Sequence, residues 1–258
     1  MARAYTRQPS ARIGECELSF IDRAPIDLAL LRDQHAAYER TLLQCGLELH
    51  RFPALPESPD GVFVEDMAVL LGEHALLASP ATPARRAESA SAAQVLGADF
   101  ELAQLPSGTL DGGDVLRVGQ RLYVGQSLRT DAAGAQGLAR WAERLGFAVQ
   151  PLAVRGCLHL KTAVTCAGMD SNGRTLLIAN PAWVDVRAFA DCETLSVAPD
   201  EPFAANTLRI GARLLIAARQ PRLSEALQQR GLSLVELDIS ELQKAEAGLT
   251  CLSLIDSP

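Results

Sequence analysis

Glu65-Asp66-Met67-Ala68-Val69-Leu70, Gly113-Asp114-Val115-Leu116-Arg117-Val118, Leu160-Lys161-Thr162-Ala163-Val164-Thr165, Ala205-Asn206-Thr207-Leu208-Arg209-Ile210 and Thr250-Cys251-Leu252-Ser253-Leu254-Ile255 are five versions of one segment, 45 to 48 residues apart. Each starts with a polar or reactive residue and runs into an apolar strand. In the four interior copies a second strand follows, at His74–Ala78, Arg121–Gly125, Thr175–Ala179 and Arg213–Ala217, and then a helical stretch and a third strand. A repeat of this length signals an array, because one such unit cannot bury its own apolar face.

The fifth copy stops after its first strand, at Ile255, and the N-terminus holds the missing pieces. Residues 2–7 read as a strand, 34–45 as a helix ending at Gly46, and Leu47–Phe52 as another strand before Pro53. Pairing of the last strand with this first module closes a ring and removes exposed sheet edges. The expectation is a single α/β domain over 1–258: a five-module ββαβ pseudo-symmetric propeller closed by its N- and C-terminal segments. Equivalent positions then converge on the axis, namely Asp66, Asp114, Lys161, Asn206 and Cys251, with His159 just upstream of the third. Segments 8–33 and 52–62 lack a clear period, and 10–33 reads as a lid or loop over the axial site.

Composition sets the outer bounds. Of 258 residues, 48% are hydrophobic and 21% charged, enough for a large core and incompatible with extensive disorder. The opening residues lack the apolar stretch of an export signal, and no apolar run reaches the length of a membrane span. Six cysteines without zinc-type spacing read as free thiols in a reducing, cytoplasmic setting. A net charge of −7 with no basic cluster opposes nucleic-acid and anionic-membrane partners and suits a small cationic ligand.

The residues at the axis suggest chemistry. Cys251 needs a cationic neighbour or a base to become a thiolate, and His159 is its candidate partner. Each taken alone is equally readable as a core residue. Leu110-Asp111-Gly112-Gly113-Asp114 sets two acids around two glycines, which reads as a tight turn presenting carboxylates to the axis or as an ordinary Asx-type turn. Glu65 and Asp66 add acids at the equivalent place in the first complete unit. Several carboxylates near one thiol suit a guanidinium, a planar cation that takes charge-assisted hydrogen bonds. Arg85 and Arg129 fall in matching loops after second strands, where they read either as clamps for a carboxylate or as exposed residues near a helix start.

Phe63-Val64-Glu65-Asp66, Leu110-Asp111-Gly112-Gly113-Asp114-Val115, Val124-Gly125-Gln126-Ser127-Leu128-Arg129-Thr130, Leu158-His159-Leu160-Lys161-Thr162, Ala204-Ala205-Asn206-Thr207 and Gly248-Leu249-Thr250-Cys251-Leu252-Ser253 together closely resemble dimethylarginine dimethylaminohydrolase, a guanidine-modifying enzyme of the pentein propeller fold. The resemblance runs from about residue 52 to the C-terminus and is looser before it. It implies Cys251 as nucleophile, His159 as general acid and base, and Asp111 as the carboxylate beside that histidine, where some members carry Glu. It further implies Asp66, with Glu65 adjacent, on the guanidinium, Arg85 and Arg129 on the substrate α-carboxylate, and Asp60 with the Leu18 carbonyl on the α-ammonium. The implied reaction is hydrolysis of mono- or dimethylated arginine to citrulline and an alkylamine through a covalent thiouronium intermediate, with no cofactor and no dedicated metal site. The implied form is a monomer or homodimer. Arginine deiminase or amidinotransferase chemistry and a non-catalytic pentein binding protein are the competing readings; zinc held by the thiolate and His159 would inhibit.

Overall fold

Each repeat folds as a hairpin followed by a crossover, and the reason lies in its apolar pattern. A short buried strand turns back antiparallel on a second, and the second pairs in parallel with a third, which requires a connection long enough to cross over. The computed structural model describes residues 2–170 and 173–256. The N-terminal module contributes β1 (Arg3–Thr6), α1 (Leu28–Gln44) and β2 (Glu48–Arg51). The second holds β3 (Ala68–Leu71), β4 (His74–Leu77), α2 (Arg86–Leu96) and β5 (Glu101–Gln104). The third holds β6 (Val115–Val118), β7 (Arg121–Gln126), α3 (Ala132–Glu143) and β8 (Ala148–Ala153). The fourth opens with the single turn α4 (Leu160–Ala163) and continues with β9 (Val164–Met169), β10 (Thr175–Ala179) and β11 (Glu193–Ser196). The fifth comprises β12 (Leu208–Ile210), β13 (Arg213–Ala217), α5 (Pro221–Gln228) and β14 (Ser233–Leu237), followed by α6 (Ser240–Gln243) and β15 (Leu254–Asp256).

Among the described residues there are five sheets, each of three strands, and the first is assembled from the first and last strands of the sequence in the order β15-β1-β2. There β15 runs antiparallel to β1, with Arg3 opposite Asp256 and Tyr5 opposite Leu254, and β1 runs parallel to β2. This is the pattern of β3-β4-β5 inside one module, so the termini rebuild the unit that the sequence splits. The Arg3 guanidinium donates to Asp256 from Nε at 3.0 Å and from Nη2 at 2.8 Å. The innermost strands meet around the axis, β15 beside β3, β6 beside β9 and β9 beside β12.

Helices pack outside the ring and bury apolar stripes against the sheets. In α3, Leu138, Trp141 and Ala142 join Val69, Leu76, Leu122 and Val124 in one buried cluster. Each fully buried large side chain of this kind contributes about 1.5–3 kcal/mol. No helix among the described residues is long and apolar enough to cross a membrane.

Three expectations are corrected. The first helix begins at Leu28 rather than residue 34, because the Asp27 side chain accepts from the backbone N–H groups of Ala29 and Leu30 and caps it there. The 10–33 segment therefore ends as helix, and Ile13–Glu15 forms a 3-10 turn within it. In the fourth module the crossover holds only a 3-10 turn, Val186–Phe189. Asn180 consumes the start of that connection in a turn, its side chain accepting from Ala182 N, and Pro181 follows directly. Finally, the polar positions of the repeat do not head the inner strands. They sit in or beside a single helical turn that precedes each one, Val64–Met67, Gly112–Asp114, Leu160–Ala163, Pro202–Ala205 and Thr250–Leu252.

Candidate active site

Those five turns encircle the axis at one end of the ring and carry the reactive groups. His159 is the residue before α4, in extended backbone, so its ring projects back over the turn. Asp114 fixes that turn: its Oδ1 accepts from the Leu160 N–H at 2.9 Å, and its Oδ2 from the Ser127 hydroxyl at 2.6 Å. It serves as a brace and does not reach the axis as the repeat suggested. The other acid of the pair, Asp111, is completely buried and its Oδ2 lies 3.2 Å from His159 Nε2. Its Oδ1 has no hydrogen-bond partner among the described residues, and the Asp111 N–H donates to Thr130 Oγ1.

The two glycines between these acids answer to crowding. A Cβ on Gly113 would stand 2.7 Å from His159 Nδ1 and 2.8 Å from Asp66 Oδ1, and one on Gly112 would overlap the Glu65 carbonyl. The sequence reading attributed them to a tight turn; neither has positive φ, and close approach of the histidine and the neighbouring module is what requires them.

Asp66 faces His159 across the axis, Oδ1 to Nδ1 at 3.8 Å, and its Oδ2 takes a 2.7 Å hydrogen bond from Arg85 Nη1. Arg85 is itself buried, donating also to Glu88 Oε2 and to the Phe63 carbonyl, with Asp111 Oδ2 3.9 Å away. Glu88 escaped the sequence reading although its signal was present, an acid three residues after Arg85 at a helix start. Arg129 is buried nearby and donates to Thr82 Oγ1 at 2.8 Å. Asp60, Asp66, Arg85, Arg129, His159 and Cys251 all line one chamber, with Glu17 and Glu246. Leu18 is the next residue after Glu17, on an arm crossing this chamber, and Asp60 accepts from the Glu17 N–H at 3.2 Å. Glu246, which the sequence reading missed, accepts from the N–H groups of Ser19 and Phe20 on the other side of Leu18.

Glu65 departs from the expected arrangement. Its Oε1 accepts from Lys161 Nζ at 2.6 Å and its Oε2 from the Thr250 hydroxyl at 2.6 Å. Asn206 completes this belt, donating to the Lys161 carbonyl and to Thr250 Oγ1 and accepting from the Thr250 N–H. The five positions expected to converge on one site thus divide: Asp66 and Cys251 lie at the chamber, Lys161 and Asn206 in a septum across the axis, and Asp114 in the brace beneath His159.

Charge in the chamber is closely balanced. Burial disfavours the imidazolium of His159, but Asp66, the hydrogen bond with Asp111 and the charge of Asp114 outweigh it and raise the pKa to about 9. Burial also works against Asp66, yet His159 and Arg85 hold it below the usual carboxylate range. Cys251 goes the other way. Burial, then the charges of Glu65 and Asp66, push its thiol well up, and Sγ accepts a 3.3 Å hydrogen bond from the Gly248 N–H. The resting pair at neutral pH is therefore imidazolium and thiol; the expectation that His159 alone would lower the thiol pKa is corrected by the acids around it.

Asp66, Asp111 and His159 offer ligand atoms within 4.8 Å of one another. That donor set already holds two cations, the Arg85 guanidinium and the imidazolium, which leaves it poorly suited to a metal. Among the remaining cysteines, Cys157 is buried with Sγ donating to the His159 carbonyl, while Cys166 faces a different cavity beyond the septum.

The arginine deiminase family profile matches residues 30–172. The chain is 37% identical to N(G),N(G)-dimethylarginine dimethylaminohydrolase of Streptomyces coelicolor, covering 98% of this chain and 96% of that one. It belongs to the dimethylarginine dimethylaminohydrolase family. The Pseudomonas aeruginosa member is 31% identical over 88% of this chain and 89% of its own. A solved structure of that member, a Cys-to-Ser variant complexed with citrulline, superposes with a TM-score of 0.90 at 27% identity, covering 98% of both chains. A dimethylarginine dimethylaminohydrolase His-to-Gly variant, solved as an adduct with S-methyl-L-thiocitrulline, gives 0.91 at 28% identity, covering 99% of this chain and 100% of that one. The five-module ring is therefore the pentein propeller. The N-terminal domain of the arginine dihydrolase ArgZ shares this fold at 19% identity, with a TM-score of 0.87 over 99% of this chain and 97% of that one.

Proposed function

We infer that this family member hydrolyses Nω-methylated arginine, asymmetric dimethylarginine or monomethylarginine, to citrulline and dimethylamine or methylamine. The observation that carries this reading is the composition of the chamber: a thiol, an imidazolium, acids for a guanidinium and two buried arginines for a carboxylate line one small space. Family membership and the arginine-like ligands of the related structures support it.

In this reading Arg85 and Arg129 hold the α-carboxylate, and Asp60 and the Leu18 carbonyl hold the α-ammonium. Asp66 keeps the guanidinium planar and close to Cys251, with Glu65 acting through its charge from the septum. Binding of that cation offsets the acids that hold the thiol protonated, so the thiol proton leaves to solvent. The thiolate then attacks the central guanidinium carbon. As the bond from that carbon to the methylated nitrogen breaks, His159 gives its proton to the departing amine, which leaves a cationic thiouronium on Cys251. Neutral His159, held by Asp111, takes a proton from water; the hydroxide adds to the same carbon, the C–S bond breaks, and the hydroxyl proton of the adduct passes to the departing sulfur, so that citrulline and the resting thiol are released. The setting inferred for this reaction is cytoplasmic, in keeping with six free cysteines.

The test is release of citrulline and dimethylamine from asymmetric dimethylarginine. The wild type should turn it over in preference to arginine, and Cys251→Ser should lose activity by about 10⁴-fold or more. Preferred release of ammonia from unmodified arginine, or turnover retained in Cys251→Ser, would refute the assignment.

A further inference from the structure

The sequence sets an acid three residues after Arg85, and the fold turns the pair inward together. Arg85 is the residue before α2, its N–H donating to the Thr82 carbonyl at 3.1 Å, and Glu88 lies in the first turn of that helix. Residues three apart share a helix face, and both of these side chains are buried. Arg85 reaches the chamber wall, while Glu88 stands behind it, away from the reacting groups.

A guanidinium carries five N–H donors in one plane. In Arg85 the Nε donor goes to Glu88 Oε2 at 3.2 Å, and the two on Nη2 go to Glu88 Oε2 at 3.0 Å and to the Phe63 carbonyl at 3.2 Å. Nη1 gives one donor to Asp66 Oδ2 at 2.7 Å and keeps the other, since Asp111 Oδ2 at 3.9 Å is beyond hydrogen-bond reach. Arg129 is held differently, by a single 2.8 Å bond to the Thr82 hydroxyl, so it can take a carboxylate without giving up an acid. Arg85 cannot. A carboxylate pairs with an arginine through two donors, and Nη1 offers two only when Asp66 lets go. Asp66 is itself buried, so it lets go only toward another cation.

Resting on the reading of the site given above, we propose that Glu88 is a positioning residue for the substrate α-carboxylate: it holds the Nε and Nη2 edge of Arg85 in place while Nη1 exchanges Asp66 for that carboxylate and Asp66 exchanges Nη1 for the substrate guanidinium. The chamber thus carries an internal pair that resembles its ligand, one guanidinium on one carboxylate. A molecule that brings both charges replaces both halves; one that brings a single charge strands a buried partner. Without Glu88 the Arg85 fork is free to follow Asp66 and turn fully onto it, and the pair that the substrate must divide becomes stronger.

A double-mutant cycle on the full chain tests this, comparing wild type, Glu88→Gln, Arg85→Met and the double variant with asymmetric dimethylarginine as substrate. Glu88→Gln should raise KM by about tenfold or more and change kcat by less than about threefold, since the charge-assisted bonds to Arg85 are lost while Cys251 and His159 stay in place. In the Arg85→Met background the same change should alter kcat/KM by less than about twofold, because Glu88 acts only through Arg85. Equal losses in both backgrounds, as expected of a residue that merely stabilises α2, or a wild-type KM in Glu88→Gln, would overturn the proposal. Calorimetry gives a readout that needs no turnover. Asymmetric dimethylarginine should bind Cys251→Ser about tenfold or more weakly once Glu88→Gln is added, and equal affinities would likewise overturn the proposal. Should Glu88→Gln not fold, as judged by circular dichroism, Glu88→Asp carries the same cycle with the same expected directions, keeping the charge but falling one methylene short. Binding that depends on Glu88 without hydrolysis by wild type would sink the reaction and leave the positioning role standing; hydrolysis with a Glu88-independent KM would do the reverse.

Discussion

The two ends of the propeller axis are built from the same five inner strands and differ in almost every chemical respect. At one end the helical turns before the strands supply Asp66, His159 and Cys251 to a chamber of about 10 Å³. At the other, the strands themselves line a cavity of about 330 Å³ with Val69, Leu71, Leu116, Leu122 and Leu254 among its walls. Between them lies the belt of Glu65, Lys161, Thr250 and Asn206. Function has been concentrated in single helical turns of a few residues each, while the strands keep a common apolar character. A pseudo-symmetric backbone can hold an asymmetric site because only its turns need to differ.

The largest effect that would break this division comes from removing its septum. Lys161→Met should leave the Glu65 carboxylate buried without its cation and cost about 3 kcal/mol, measured by urea unfolding at pH 7. Wild-type stability in that variant would mean that the belt holds nothing apart.

A pH series sharpens the electrostatic contrast. The folded pKa of His159 lies at about 9, above the ordinary histidine value of 6.5, so its stabilising contribution is complete below about pH 6.5 and disappears as pH rises through 9. Stability lost between those limits should be roughly 3 kcal/mol greater with His159 than with His159→Gln, both compared in a Cys251→Ser background because the raised thiol titrates in the same sense. Parallel pH profiles for the two proteins would show that His159 is neutral in the fold. The smallest expected change is at the other end: Cys166→Ser, in the wide cavity, should alter kcat/KM for dimethylarginine by less than about twofold. A larger loss would tie that cavity to catalysis.

The ring was legible because apolar strands recur at a near-constant interval and one copy is visibly incomplete. What was hidden is short or distant. Helical turns of three or four residues are too brief for any periodicity to register, so Asp114 read as an axial acid when it braces α4. The partners of Glu65 lie 96 and 185 positions away, and nothing local distinguishes its carboxylate from that of Asp66. Glu246, in the plain run Lys244-Ala245-Glu246-Ala247, shows no sign of the arm it holds 226 positions earlier. Cys251 and His159 were readable from residue type and place in the repeat, whereas the protonation state of the pair depends on the summed field of acids from two other modules.

The pairing of β1 with β15 also has a consequence for how the molecule is made. Arg3 and Asp256 meet across 253 positions, so β1 presents a bare hydrogen-bonding edge until those intervening residues have been made. Until then that edge is a template for the wrong strand, and the thiol that completes the chamber arrives at the same moment as the strand that covers it. Edge protection and assembly of the reactive centre thus become a single late event in the life of the chain.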